Sequence, residues 1–162
     1  ETDTAGSRAC TVIYIVGGFI VNDKYDLERF VSAQRGSYNT ALAEIRRGRK
    51  ESHWIWYIFP QIAGLGMSST SRHYAISGLD EAAAYLAHPV LGERLEEISR
   101  ALLEVPTDNA SQVFGWPDDM KLRSSMTLFS LVKPGNPVFS AVLDKFFGGQ
   151  KDESTLQILG LD

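Results

Sequence analysis

Between Pro89 and Pro106 the chain places Leu91, Leu95, Ile98 and Leu102 at steps of four, three and four residues, with charged residues filling most positions between. That period puts the four side chains on one stripe of an α-helix but on both faces of a strand, so the segment reads as a helix with one apolar face. Such a helix draws most of its stability from burying the stripe, and the rest of the chain has to supply partners. It does so repeatedly. Leu27, Phe30, Val31 and Gln34 share one helical face, with Asp26 placed to cap the first turn. Tyr38, Ala41, Leu42 and Ile45 repeat the spacing beyond Gly36, and Gly48 is a natural stop after Arg46 and Arg47. An antiparallel helix pair is expected there. Asp80 is placed to cap Glu81 to Ala87, and His88-Pro89 opens the long helix, with His88 reading mainly as a cap. Pro117-Asp118 opens a helix with Leu122, Met126 and Phe129 inward. Asn136-Pro137 opens another, carrying Val138, Phe139, Leu143, Phe146 and Phe147 up to Gly148-Gly149, and a short last helix surrounds Leu156 and Leu159.

The fold class expected is therefore mainly α: a compact single domain, a bundle of about seven short helices, over residues 25–162. Residues 1–24 read as an N-terminal extension. Within it Thr11 to Val16 is rich in β-branched residues, Gly17-Gly18 suits a tight turn, and Phe19 to Val21 can return, which gives a β-hairpin or an extended arm. An apolar strand edge needs a cover, so the chain is expected to be a monomer or a homodimer through this arm. Ser52 to Phe59 fits a buried strand and a buried helix equally, being apolar and aromatic on every side. Residues four apart share a side in both, so His53 and Tyr57 face one way in either case.

Composition narrows the function classes. A net charge of −4 and a pI near 5.4 argue against a dedicated binder of duplex nucleic acid. Cys10 is the one cysteine, which excludes an intramolecular disulfide and a cysteine-rich zinc site, and the three histidines lack metal-motif spacing. No metal and no cofactor is expected. The apolar run from Thr11 to Val21 is too short to span a bilayer, so no membrane partner is expected, and a reducing, cytoplasmic compartment is the default.

Chemistry-bearing residues concentrate between Lys50 and Tyr74. Arg46, Arg47, Arg49 and Lys50 precede Trp54 and Trp56, which can pair a phosphate with cations and stack a base on an indole; the competing reading is a solvated helix end followed by core aromatics. His53 can act as acid or base, or be a hydrogen-bonded core residue. Gly64-Leu-Gly66-Met-Ser-Ser69 lacks the third glycine of a dinucleotide loop but can expose backbone N–H groups leading into a helix through Ser71 and Tyr74, a plain loop being the equal alternative. On the later helix, Lys121, Ser124 and Ser125 are expected to share a polar face able to hold a phosphate or sugar, beside Asp118 and Asp119, of which one can orient water or both can simply cap the helix.

The run Gly48-Arg-Lys-Glu-Ser-His-Trp-Ile-Trp-Tyr-Ile-Phe-Pro-Gln61-Ile-Ala-Gly-Leu-Gly66, followed by Ser71, Tyr74-Ala-Ile76, His88-Pro-Val-Leu-Gly92, Phe114-Gly115, Lys121-Leu122 and Ser124-Ser-Met-Thr-Leu-Phe129, resembles the domain of unknown function 1810 family from Tyr25 to Leu159. That resemblance implies a small all-helical fold and supplies no reaction. Asp119-x-Lys121-x-x-Ser124-x-Met126 is in addition distantly similar to the NADAR domains, which implies ADP-ribose-linked and related N-glycosidic compounds.

Two functional readings follow, with a small-molecule ligand, nucleotide-like in the first, as the expected partner. In the first the chain is an enzyme that hydrolyses an N-glycosidic or ADP-ribosyl bond, with Asp119 activating water and His53 assisting the leaving group. Lys50, Trp54, Trp56, Tyr57, Gln61, Ser71, Tyr74, Lys121, Ser124 and Ser125 would bind the ligand. In the second the same pocket binds a small ligand or a protein without turnover. A further alternative has the basic run and tryptophans gripping single-stranded RNA.

Overall fold

The computed structural model describes residues 12–16 and 19–162. The first two elements among the described residues are strands, β1 (Val12–Val16) and β2 (Phe19–Asp23), paired antiparallel with Val16 opposite Phe19. The Gly17-Gly18 turn and residues 1–11 lie outside the described residues. Ten helices follow: α1 (Glu28–Gln34), α2 (Tyr38–Arg46), α3 (Ile55–Ile58), α4 (Ser69–His73), α5 (Leu79–Ala87), α6 (Leu91–Glu104), α7 (Ala110–Phe114), α8 (Asp118–Ser130), α9 (Pro137–Phe147) and α10 (Glu153–Leu159). Seven of these are seven residues or longer, as the helical periodicity implies, and the domain is mainly α. No helix among the described residues is long and apolar enough to cross a membrane.

The sheath of partners forms around α8. It is buried over Leu122 and Ser124 to Phe129 and packs on α9, α7, α10, α5 and α3, while α6 lays its leucine stripe against α9, α2 and α5. Helices α1 and α2 are not primarily each other's partners. The principal contact of α1 is α3 and that of α2 is α6, because the Tyr38, Ala41, Leu42 and Ile45 face is apolar enough to enter the main core directly.

Several helix starts differ from the sequence-based expectation. Asp26 has a positive φ of 54°, and its carboxylate caps no N–H group among the described residues; the buried Asp23 is the cap instead, its carboxylate accepting from the N–H groups of Leu27 and Glu28. Asp80 lies inside α5, whose start is organised by Glu81, which accepts from the backbone N–H and hydroxyl of Ser77. The long helix starts at Leu91, and His88 serves its entry through Nδ1, which accepts from the N–H groups of Val90 (3.1 Å) and Leu91 (3.3 Å). That role requires a neutral imidazole. Burial lowers the His88 pKa below its ordinary value, against the opposing pull of Asp23 and Glu28. The Asn136 cap and the left-handed Gly148 at the two ends of α9 are as the sequence signals imply.

Candidate functional site

The undecided segment becomes one helical turn, α3, whose Ile55 and Ile58 enter the core. Two residues apart on a helix point roughly 200° apart, so Trp54 and Trp56 cannot share an environment. Trp54 is fully buried. Its indole N–H donates to Glu44 Oε1 at 3.1 Å, and it offers no face to a ligand. Trp56 is half-buried and faces α8, with the Lys121 ammonium 5.3 Å from its ring centre.

Beyond α3 the chain closes a loop on itself. Ile62 and Ile76 form a parallel bridge, with Ala63 donating to Ile76 O and Ile76 to Gln61 O, so the chain between them leaves and returns at one place. Inside that loop Ser68 caps α4 by accepting from the Ser71 N–H. The result brings Gln61, Ser71 and Tyr74 beside α3, and Ile55, Trp56, Phe59, Gln61, Ser71, Tyr74 and Lys121 line one slot. The slot holds about 10 Å³, room for a single water.

Gly66 shapes this wall. A Cβ there would stand 2.3 Å from Ser71 Cβ and 2.6 Å from its Oγ, so the loop backbone closes directly on the serine. Gly66→Ala is expected to push Ser71 outward, costing about 1–3 kcal/mol and widening the slot. A lower melting temperature accompanied by a changed Trp56 emission would show it; wild-type values for both would refute the close approach.

Other candidates are placed elsewhere. Lys50 is almost entirely buried, its ammonium 2.9 Å from Asp118 Oδ2, donating to Ser52 O at 2.6 Å and lying 5.1 Å from the Trp54 ring centre. Tyr57 turns its hydroxyl to Ser37 Oγ at 3.0 Å and to the carbonyl of His53 at 3.5 Å, with its ring against Tyr74. The His53 side chain is exposed. Asp119 accepts from Ser111 Oγ (2.8 Å) and the Met120 N–H (2.9 Å), and it lines a separate surface groove with Asp108 and Asp144.

The expected polar wall of α8 is also divided. Ser124 donates to Asp152 at 2.9 Å, in the network that starts α10, and Ser125 is buried with no hydrogen-bond partner for its hydroxyl among the described residues. The physical reason is the enclosure of α8: neighbours cover most of its circumference, so small polar residues fill interhelical gaps rather than lining one cavity. No cluster of histidine, cysteine and acidic side chains suited to a metal ion occurs among the described residues.

Reading the sequence missed Glu44, the residue that sets this region in place. It is 1% exposed and accepts from the N–H groups of Glu51 (2.6 Å) and Ser52 (2.8 Å), Ser52 Oγ (2.7 Å) and Trp54. Burial pushes its pKa up, but those donors outweigh it and hold the carboxyl at about 2. On a helix pattern Glu44 is simply a charged residue between Ala41 and Ile45, with no signal that it points inward. Arg29 was equally silent. Its guanidinium donates to the carbonyls of Tyr25, Asp26, His73 and Ala75 and pairs with Glu81 at 2.7 Å, tying α1 to the end of the slot loop.

The family model described as Protein of unknown function (DUF1810) matches residues 24–159. Among solved structures, the chain is similar to the conserved hypothetical protein Rv1873 from Mycobacterium tuberculosis, with 45% identity and a TM-score of 0.84 over 86% of this chain and 100% of that one. No curated protein matches. With the slot, its buried Glu44 anchor and the helical frame all inside the matched range, the chain belongs to the DUF1810 family.

Proposed function

We propose that the chain is a small-ligand-binding module whose site is the slot between Trp56, Tyr74 and Lys121, with a nucleotide-like ligand that lays a flat ring against the aromatic groups. The observation that carries this reading is the meeting of Lys121, from α8, with Trp56, Gln61, Ser71 and Tyr74, from a stretch far earlier in the chain. Few polar groups converging on an aromatic slot is the usual make-up of a small-molecule site. Because the slot now holds about one water, a ring enters only if the segment around Gly66 and Met67 moves outward. Met67 is exposed and offers that movement little resistance.

Binding is favoured over hydrolysis of an N-glycosidic or ADP-ribosyl bond by the position of the acid and base candidates. Asp119 is engaged by Ser111 in another groove, and neither it nor His53 lines the slot. A grip on single-stranded RNA through both tryptophans is disfavoured by the burial of Trp54.

The test is a thermal-shift and tryptophan-fluorescence panel of nucleosides, nucleotides and ADP-ribose, with each compound analysed afterwards. A member of the panel is expected to raise the melting temperature and to be recovered intact, and Trp56→Ala or Tyr74→Ala to weaken its binding about tenfold or more, the usual worth of a stacking side chain. A flat response to every compound, or unchanged affinity in Trp56→Ala, would refute the site. Cleaved product would restore the hydrolase reading.

A further inference from the structure

We infer that the slot receives an oxyanion, a phosphate or carboxylate group, held by the Lys121 ammonium with the Gln61 amide and the Ser71 hydroxyl. This deepens the ligand-binding reading above and rests on it for the location of the site and for the outward movement of the segment around Gly66 and Met67, because the closed slot has room for one water only.

Two ammonium groups, Lys50 and Lys121, share one carboxylate, Asp118. Asp118 sits 2.9 Å from Lys50, which is 7% exposed and has the Ser52 carbonyl as a second partner, whereas its other oxygen is 3.6 Å from Lys121, beyond hydrogen-bond reach. A buried ammonium keeps the carboxylate that neutralises it, since separating the two leaves an uncompensated charge. Asp118 is therefore committed to Lys50, and Lys121 carries the excess positive charge. Its side chain is 25% exposed, and among the described residues its three N–H groups have no hydrogen-bond acceptor; the Trp56 ring is its other neighbour.

The rest of the lining complements that charge. None of the seven described residues that line it is acidic. Ser68 donates its hydroxyl proton to Ser71 Oγ at 2.9 Å, which leaves the Ser71 proton to point elsewhere, and the Gln61 amide has no partner among the described residues. A cation, an amide N–H₂ and a hydroxyl proton around an otherwise apolar slot form a donor set. Donors without acceptors suit an anion with several lone pairs, and a charge-assisted hydrogen bond in a partly desolvated site is the strong kind.

The experiment titrates the full chain with inorganic phosphate and, separately, acetate at ionic strength held constant with chloride, following melting temperature and tryptophan emission. Phosphate, acetate or both are expected to stabilise the protein beyond chloride; the responsive ion tells a phosphoryl from a carboxylate ligand. Lys121→Met is expected to weaken that response about tenfold or more while leaving the melting temperature in chloride near wild type. Gln61→Leu, at a half-buried position of the slot that neither Lys50 nor Asp118 lines, is expected to weaken it by a smaller factor. No response to either ion, or a full response in Lys121→Met, overturns the oxyanion site. The two readings separate cleanly. Trp56-dependent binding of an uncharged nucleoside with no effect of either ion sinks this inference alone, and Lys121-dependent phosphate binding that no nucleotide improves upon sinks the nucleotide-like reading alone.

Discussion

Glu44→Ala is expected to destabilise the protein by about 4 kcal/mol, because it removes the acceptor of four buried or half-buried donors at once. The loss has a pH signature that a simple cavity lacks. The Glu44 pKa falls from 4.5 in the unfolded chain to about 2 in the fold. As pH drops, the unfolded chain takes up its proton first, so the stabilisation is complete above pH 4.5, declines between there and about 2, and is absent below. A shift of that size corresponds to about 3 kcal/mol. Glu44→Gln keeps the shape and removes the titration. Urea denaturation of wild type and Glu44→Gln across that range should therefore give stability curves that converge as pH falls. Parallel curves would show that the carboxylate charge is not what the N–H groups of Glu51 and Ser52 hold.

Gly92→Ala should cost about 3 kcal/mol, at the upper end of overpacking penalties, and lower the melting temperature by roughly 10 °C. A Cβ on Gly92 would stand 2.0 Å from the Leu86 carbonyl oxygen and 2.8 Å from its carbon. Both atoms are backbone, so no side chain can rotate away; the end of α5 and the start of α6 must separate. That would also disturb the His88 cap between them. Gly36→Ala is the control, since nothing lies within 4 Å of its added Cβ. It should be close to neutral. Calorimetry on the two variants decides the matter, and a Gly92→Ala protein as stable as wild type would mean that the two helices are not in contact through this glycine.

The parts of the fold legible in the sequence are those governed by local period and local chemistry. The stripe from Leu91 to Leu102 is buried as its spacing requires, and Asn136-Pro137 and Gly148 mark the ends of α9 because a side-chain acceptor and a left-handed residue act on their own neighbours. Where two local signals compete, the sequence was silent or misled. Asp23 and Asp26 are both acceptable caps for α1, and only the direction in which the preceding chain enters decides between them. Ser124 and Ser125 have the chemistry of a ligand wall, yet enclosure of α8 turned one to Asp152 and buried the other.

The site divides along the same line. By itself the sequence determined the longer helical segments, which residues carry charge or aromatic surface, and that Lys50 to Tyr74 concentrates them, while the short turns α3 and α7 were left undecided or unread. The tertiary structure alone decided that Trp54 turns inward to Glu44 while Trp56 meets Lys121, and that Asp118 serves Lys50 before Lys121. The reason is physical: helix period and capping depend on residues a few positions apart, whereas the pairing of a buried charge depends on whichever distant segment packs against it.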